Sequence, residues 1–189
     1  MSVLAYGDES IRRTGLESGV YLLGAYLAEA EESSLADALS VFVRRRGKLH
    51  WQGHVPKVKR VVCETIAASD AQHLVVIASP LPADGGEERA RQRALATLAH
   101  VLVEEYGVVG LVMERRERTQ DMVDAQTIEV ARRSGTLPRG FWIRHVAGTA
   151  DRRLWVPDQV IGALGDDLAG LGTGWLLIKD RVRVLEIQA

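Results

Sequence analysis

The sequence predicts an α/β protein with a mixed sheet flanked by helices. In the middle of the chain, apolar strand patterns alternate with helical patterns, which is typical of parallel strands covered by helices. Before them, two apolar stretches joined by a long turn predict an antiparallel hairpin. No segment repeats at a period of roughly 20 to 50 residues, so a solenoid is not expected.

Length and composition bound the class of protein. The 189 residues fit a single domain, 1–189, and a hydrophobic content of 47% is enough for a buried core. Cys63 is the single cysteine, which excludes an intrachain disulfide and a cysteine zinc cluster. No apolar run approaches the roughly 20 residues that span a bilayer, and the N-terminus lacks a signal-peptide pattern. We therefore expect a soluble, cytoplasmic protein.

The N-terminal half is predicted to contain a hairpin, two helices and a buried strand. A serine suits the first helix start and glycine its end, proline suits the first turn of the second helix, and a continuous apolar run suits a buried strand. The expected elements are strands Val3–Tyr6 and Gly19–Ala28, a helix from Ser33 or Ser34 to Gly47, an extended piece Leu49–Trp51, a helix from Pro56 to about Ser69, and strand Leu74–Ala78.

The C-terminal half continues the alternation of helices and strands. The expected elements are helix Glu87–Tyr106, strand Val108–Met113, helix Thr119–Arg133, strand Phe141–Val146, a helix from Pro157, and a terminal hairpin of Trp175–Ile178 with Arg181–Ile187. The apolar residues of that hairpin predict an exposed sheet edge through which a homo-oligomer could form.

Three carboxylates occupy positions that such a fold holds rigidly. Asp8 follows the first predicted strand, Glu114 follows a central strand, and Asp158 lies in the first turn of the last helix. Parallel strands deliver their carboxyl ends to one sheet edge, and clustered carboxylates need a cation such as Mg²⁺ or Mn²⁺. Two such ions about 4 Å apart would suit phosphodiester cleavage. Alternatively, Asp8 to Ser10 begin a polar turn.

A basic stretch suggests nucleic acid as a partner. From Ala38 to Cys63 there is no acidic residue, whereas seven lysines and arginines are present. Such a patch attracts phosphates, although it would also suit a solvated helix end. The candidate nucleic-acid contacts are Arg12, Arg13, Arg44, Arg45, Arg46, Lys48, Trp51 and Lys57. Trp51 could stack on a base or lie in the core.

Other polar residues are weaker candidates for the same site. Glu9 could support the carboxylates or lie at the surface, and His50 could donate a proton or bind phosphate. Asp121 and Asp124 share one helical face, so Asp124 could be a further ligand or could solvate that helix. Asp166 and Asp167 are expected at the surface.

Three segments carry a resemblance to a known family. Ala5 to Ser10 with its Tyr-x-Asp-Glu-Ser strand, Lys48 to Trp51, and Leu154 to Ala163 resemble a bacterial domain-of-unknown-function family. That family is placed in the ribonuclease H-like superfamily, with retroviral integrases and Holliday junction resolvases. The resemblance implies a ribonuclease H-like mixed sheet and acidic residues that bind Mg²⁺ or Mn²⁺. By position, it implies that Asp8, Glu114 and Asp158 are those residues.

The chain departs from the family pattern at two places. Ile11 stands where the family usually has glycine, and Arg12 and Arg13 follow it. Trp155 and Pro157 replace smaller residues before Asp158. These changes keep the carboxylates but alter the expected substrate entrance.

The leading hypothesis is a Mg²⁺- or Mn²⁺-dependent nuclease acting on RNA or DNA. In it, Asp8, Glu114 and Asp158 hold the metal, and Glu9, His50 and Asp124 assist. A second hypothesis is a non-catalytic module of the same fold that contacts nucleic acid or protein. A third is a hydrolase of small phosphate esters, which would bind polymers weakly and without salt dependence.

Overall fold

The computed structural model describes residues 2–43, 47–172 and 174–189 and contains a six-stranded sheet. The spatial order of the strands is β5-β4-β1-β2-β3-β6. Among the described residues, β2 runs antiparallel to its two neighbours, and the other pairs are parallel. The strands are β1 (Val3–Arg12), β2 (Gly19–Glu29), β3 (Gln72–Leu81), β4 (Gly110–Glu114), β5 (Trp142–Val146) and β6 (Val182–Gln188). The predicted mixed sheet is confirmed.

Helices cover both faces of the sheet. They are α1 (Ser34–Leu39), α2 (Pro56–Ala67), α3 (Glu87–Tyr106), α4 (Arg118–Arg133), α5 (Trp155–Leu168) and α6 (Trp175–Ile178). One core forms between the sheet and α1, α2 and α5, and the other forms between the sheet and α3 and α4. Strand alternation divides the residues: Tyr6 belongs to the first core and Ala5 to the second. No helix in the described ranges is long and apolar enough to cross a membrane.

The first strand is longer than predicted. It pairs with β2 as far as Arg12, which lies opposite Val20, so Asp8, Glu9 and Ser10 are strand residues. The polar-turn alternative is therefore wrong. Asp8 nevertheless reaches the carboxyl edge of the parallel strands, because the neighbouring β4 ends at Glu114.

The predicted terminal hairpin is wrong. Trp175–Ile178 is a short helix, and Val182–Gln188 is a single strand that pairs in parallel with β3 at one edge of the sheet. A short apolar run does not distinguish a strand from a buried helical turn, and Ile178 is fully buried here. The homo-oligomer stays a prediction.

Other boundaries also shift. The first helix ends at Leu39 and is followed by a 3₁₀ turn, Ser40–Phe42, rather than continuing to Gly47. Trp51, predicted as extended, begins a second 3₁₀ turn that ends at Gly53. The last main helix begins at Trp155, ahead of Pro157.

Close packing of α5 on the sheet explains one glycine of the helix and one of β2. A Cβ on Gly162 would overlap the indole ring of Trp51, and a Cβ on Gly24 would overlap Cγ2 of Ile161. Neither position leaves room for a side chain. The absence of a side chain at these positions therefore sets how closely α5, which carries Asp158, approaches the sheet.

We expect Gly162→Ala to lower the free energy of unfolding by up to about 2 kcal/mol. Overpacking a core usually costs about 1 to 3 kcal/mol, and the gain of about 1 kcal/mol that alanine normally brings to a helix interior offsets only part of that cost. Thermal unfolding measures the change. Gly140→Ala is the control, because a Cβ there meets nothing within 4 Å. An equal Tm for wild type and Gly162→Ala would contradict this account of α5 packing.

Candidate metal centre

Asp8 and Glu114 lie side by side on neighbouring parallel strands. Gly7 is in register with Met113, so the next residue of each strand is one of the two acids. Both side chains point to the face covered by α5, because Tyr6 and Val112, two residues earlier, belong to that core. Asp8 is only 8% exposed, and its Oδ1 accepts the Glu9 backbone N–H at 2.8 Å.

The Glu114 carboxylate lies against Gly148, in the loop after β5. A Cβ at Gly148 would lie 2.6 Å from Oε1 of Glu114. The loop thus provides a recess for the carboxylate, and any larger residue at 148 would displace it.

Asp158 faces these two acids from the first turn of α5. Its Oδ2 accepts the backbone N–H of Trp51 at 3.0 Å and the side-chain amide of Gln159 at 3.0 Å. The turn that begins at Trp51 therefore fixes the orientation of the Asp158 carboxylate. His50 lies beside it, with Nδ1 3.9 Å from Oδ2 of Asp158 and a side chain 61% exposed.

Lys48 bridges two of the carboxylates. Its Nζ lies 3.1 Å from Oδ2 of Asp8 and donates a short hydrogen bond to Oε2 of Glu114. The lysine side chain is 8% exposed, so this is a largely buried ion pair. The sequence predicts a nucleic-acid contact for Lys48, whereas in the structure its ammonium group pairs with Asp8 and Glu114 and offsets part of their negative charge.

The cluster has more negative charge than one lysine offsets. Burial raises the pKa of Asp8 to about 7, with Asp158 and Glu114 adding to the rise and Lys48 opposing it. Burial likewise raises the pKa of Asp158, against the effects of Lys48 and the Trp51 N–H. Burial lowers the pKa of Lys48, but its carboxylate partners, Asp8 first, leave it above the ordinary value. A further positive charge would favour the ionised carboxylates.

The donor set fits Mg²⁺ or Mn²⁺. Carboxylate oxygens are the ligands these hard cations prefer, and Lys48 already places a positive charge between Asp8 and Glu114. The three carboxylates stand further apart than the ligands of one ion. Among the described residues, they do not form a group with all ligand atoms within 4.8 Å of one another. Binding of an ion there therefore requires the carboxylates to move closer together.

Glu9 and Asp124 lie in a separate cluster on the opposite face of the sheet. Glu9 follows Asp8 in β1 and so points the other way, towards Arg91. Arg91 is 1% exposed and binds both oxygens of the fully buried Asp124, at 2.7 and 2.6 Å. Glu9 lines the same small cavity as Asp8 and Glu114, but its carboxylate pairs with Arg91, and Asp124 does not line that cavity.

A second group of possible ligands lies in this opposite cluster. Asp121, Asp124 and His145 bring one ligand atom each within 4.8 Å of one another. Asp124 already accepts from Arg91, from Arg116 at 3.2 Å and shares a 2.7 Å hydrogen bond with His145. Two guanidinium groups on one carboxylate oppose a further cation. We interpret this cluster as an ion-pair network that joins α3, α4, β1 and β5.

Of the five predicted nucleic-acid contacts within the described residues, four are engaged with other groups of the protein. Arg12 pairs with Asp166 at 3.4 Å, and Arg13 donates to the Pro82 carbonyl at 2.6 Å and pairs with Glu87. Lys57 is exposed, and Arg44, Arg45 and Arg46 lie outside the described residues. The basic stretch is therefore not a continuous free patch over the part of the chain that the structure describes.

The prediction that Trp51 stacks on a base is wrong, because its side chain lies in the hydrophobic core. The residue is 1% exposed, and its indole Nε1 donates to Oδ2 of Asp166 at 2.8 Å. Asp166, expected at the surface, is consequently buried and also pairs with Lys59 at 2.8 Å. One sequence signal could have indicated this: Asp166 lies eight residues after Asp158 in the same helix, on the same face.

Comparisons of the whole chain identify similar structures. No protein-family model and no curated protein matches the sequence. The ribonuclease H2 of Pyrococcus horikoshii OT3 superposes with a TM-score of 0.59 at 10% identity, over 89% of this chain and 74% of that one. The chain has a ribonuclease H-like fold.

A second ribonuclease H-like structure agrees. The ribonuclease HII of Archaeoglobus fulgidus, solved in complex with PCNA, superposes with a TM-score of 0.51 at 12% identity, over 91% of this chain and 80% of that one. The predicted fold class is thus confirmed. At such identity the likeness establishes the fold, whereas the chemistry depends on the residues of this chain.

Proposed function

We propose that this protein is a divalent-metal-dependent nuclease that hydrolyses phosphodiester bonds of RNA or DNA, with Mg²⁺ or Mn²⁺ as its cofactor. The observation that carries the proposal is the position of Asp8 and Glu114 on either side of one buried ammonium group at the carboxyl end of β4, with Asp158 near enough to raise the pKa of Asp8. In open α/β sheets, sites form at that edge.

The residues of the site divide the work of hydrolysis. Asp8, Glu114 and Asp158 would hold the cation, which would stabilise the charge of the transition state and lower the pKa of a bound water. His50, exposed beside Asp158, is placed to donate a proton to the leaving oxygen or to bind a phosphate. The ion pairs of Arg12 and Arg13 shape the surrounding surface rather than offering free charges.

A non-catalytic module of the same fold is the alternative. The bridging of Asp8 and Glu114 by Lys48 favours it, because the buried carboxylates then have a partner without any metal. The two functions differ in one respect: a nuclease of this kind needs the metal, whereas a scaffold does not.

Cleavage assays separate these functions. We expect the purified protein with Mn²⁺ to cleave single-stranded or duplex RNA or DNA, and to stop when EDTA removes the metal. We expect Asp158→Asn to reduce the rate more than about 100-fold, since even residues outside a coordination shell cost about 10- to 100-fold. Asp180→Asn, exposed before β6 at the opposite edge of the sheet, is the matched control. Cleavage that survives EDTA or Asp158→Asn would contradict the nuclease.

A further inference from the structure

Lys48 reaches the carboxylates from a segment that contains no acid of its own. No acidic residue occurs from Ala38 to Cys63, so its partners come from β1 and β4. The segment is anchored on both sides of His50: Leu49 is 1% exposed in the core, and the Trp51 N–H binds Asp158. The position of the Lys48 ammonium is therefore set by the fold rather than by local sequence.

The ammonium group occupies the oxygens that a divalent ion would use. Lys48 contacts Oδ2 of Asp8 and Oε2 of Glu114, while Oδ1 of Asp8 is committed to the Glu9 N–H. Two cations that share the same oxygens within a few ångströms repel each other strongly in a poorly solvated site. A metal ion between Asp8 and Glu114 and the present position of Lys48 thus exclude one another.

We propose that Lys48 is a built-in counter-ion of the metal centre, whose ammonium lies between Asp8 and Glu114 until a divalent ion displaces it. The proposal rests on the cation site of the proposed function and adds its regulation. Because displacement of Lys48 costs free energy, the site binds the metal less tightly than its carboxylates alone would. In return, Lys48 offsets part of the negative charge of the buried carboxylates when no metal is bound.

Titration calorimetry with MnCl₂, without nucleic acid, tests the competition. We expect Lys48→Met to lower the dissociation constant for Mn²⁺ about 10-fold or more, since the competing charge is gone. Lys179→Met is the control, because it removes an exposed lysine beside β6 and should leave the constant unchanged. Adding Asp8→Asn to Lys48→Met should abolish the gain. An unchanged or weaker affinity for Lys48→Met would overturn the proposal.

Amine footprinting tests the same displacement in the wild-type chain, in case Lys48→Met does not fold. Reductive methylation should modify Lys48 slowly without metal, because its side chain is 8% exposed, and several-fold faster with Mn²⁺. Lys179 should react equally in both conditions. Protection of Lys48 by Mn²⁺, or no change, would overturn the proposal.

The outcomes also separate this inference from the proposed function. Wild type that binds Mn²⁺ and cleaves nucleic acid, with weaker binding by Lys48→Met, contradicts the counter-ion role alone. Absence of Mn²⁺ binding in both wild type and Lys48→Met contradicts the metal centre and the counter-ion role together.

Discussion

Asp8→Asn is expected to reduce Mn²⁺-dependent cleavage more than about 100-fold and, at pH 8, to raise the Tm. The neutral amide lacks the negative charge that a hard cation needs, and the loss of a ligand exceeds the roughly 10- to 100-fold cost of losing an outer-shell partner. The gain in stability has a separate cause, the cost of ionising a buried carboxylate that has two acidic neighbours.

The sign of the stability change follows from the pKa of Asp8, which burial raises to about 7 from 3.8. Between these values the folded protein holds a proton that the unfolded chain has released, so stability falls as pH rises from about 4 to about 7. Above pH 7 the full cost is present, and the Asp8→Asn variant avoids it because an amide cannot ionise. Activity and stability are thus opposed at this residue.

Thermal unfolding of wild type and Asp8→Asn at pH 5 and pH 8, without metal, measures the effect. We expect the advantage of the variant to be larger at pH 8 than at pH 5. Asp180→Asn, which changes an exposed residue, should show neither the activity loss nor the pH-dependent gain. A lower Tm for Asp8→Asn at pH 8 would show that the Lys48 pair outweighs the burial of the carboxylate.

Arg91→Met is expected to cause a large loss of stability, about 3 to 5 kcal/mol, because breaking a buried pair from one side leaves an uncompensated charge. The stranded charge would be that of Asp124, which is fully buried. Denaturant unfolding measures the loss. Arg89→Met, which changes an exposed arginine on the same helix, is the control and should alter stability little. Asp124→Asn added to Arg91→Met should recover part of the loss, because it removes the stranded charge.

The same network predicts a specific acid sensitivity. Burial alone would raise the pKa of Asp124, but hydrogen bonds from Arg91 and His145 and the charge of Arg116 lower it to about 2. A depressed pKa contributes stability that is fully present above the unfolded value of 3.8 and is lost as pH falls towards 2. The free energy of unfolding of the wild type should therefore fall more steeply with decreasing pH between about pH 4 and pH 2. In the double variant Arg91→Met/Asp124→Asn this steepening should be absent.

The sequence was sufficient to predict the mixed sheet and the places of Asp8, Glu114 and Asp158 in it, whereas their binding of a metal stays a prediction. Alternating strands and helices predict the mixed sheet, and the parallel pairing of β1 with β4 places Asp8 beside Glu114. The position of Asp158 follows from its place in the first turn of α5. These predicted positions hold because they depend on the alternation of strand and helix patterns along the chain rather than on one short apolar run.

The predicted first strand was too short to show that Asp8 and Glu9 lie on opposite faces of the sheet. With a strand that ends at Tyr6, Asp8 and Glu9 share one turn. Once β1 continues to Arg12, the two-residue period of a strand puts them on opposite faces. Asp8 then joins Lys48, and Glu9 joins Arg91.

The sequence pattern also could not predict ion pairs between residues that lie far apart in the chain. Lys48 lies 40 residues from Asp8 and 66 from Glu114, so nothing local indicates that it is buried. A run of basic residues predicts phosphate binding only if their charged groups are not already paired within the protein. Lys48 is paired with Asp8 and Glu114, so its charge is not available to a phosphate.

Anomalous diffraction from crystals soaked in MnCl₂ tests the central claim most directly, because it locates the ion. We expect a peak between Asp8, Glu114 and Asp158, with the Lys48 ammonium moved away from Asp8 and Glu114. A peak between Asp121, Asp124 and His145 instead, or no peak at millimolar Mn²⁺, would contradict it.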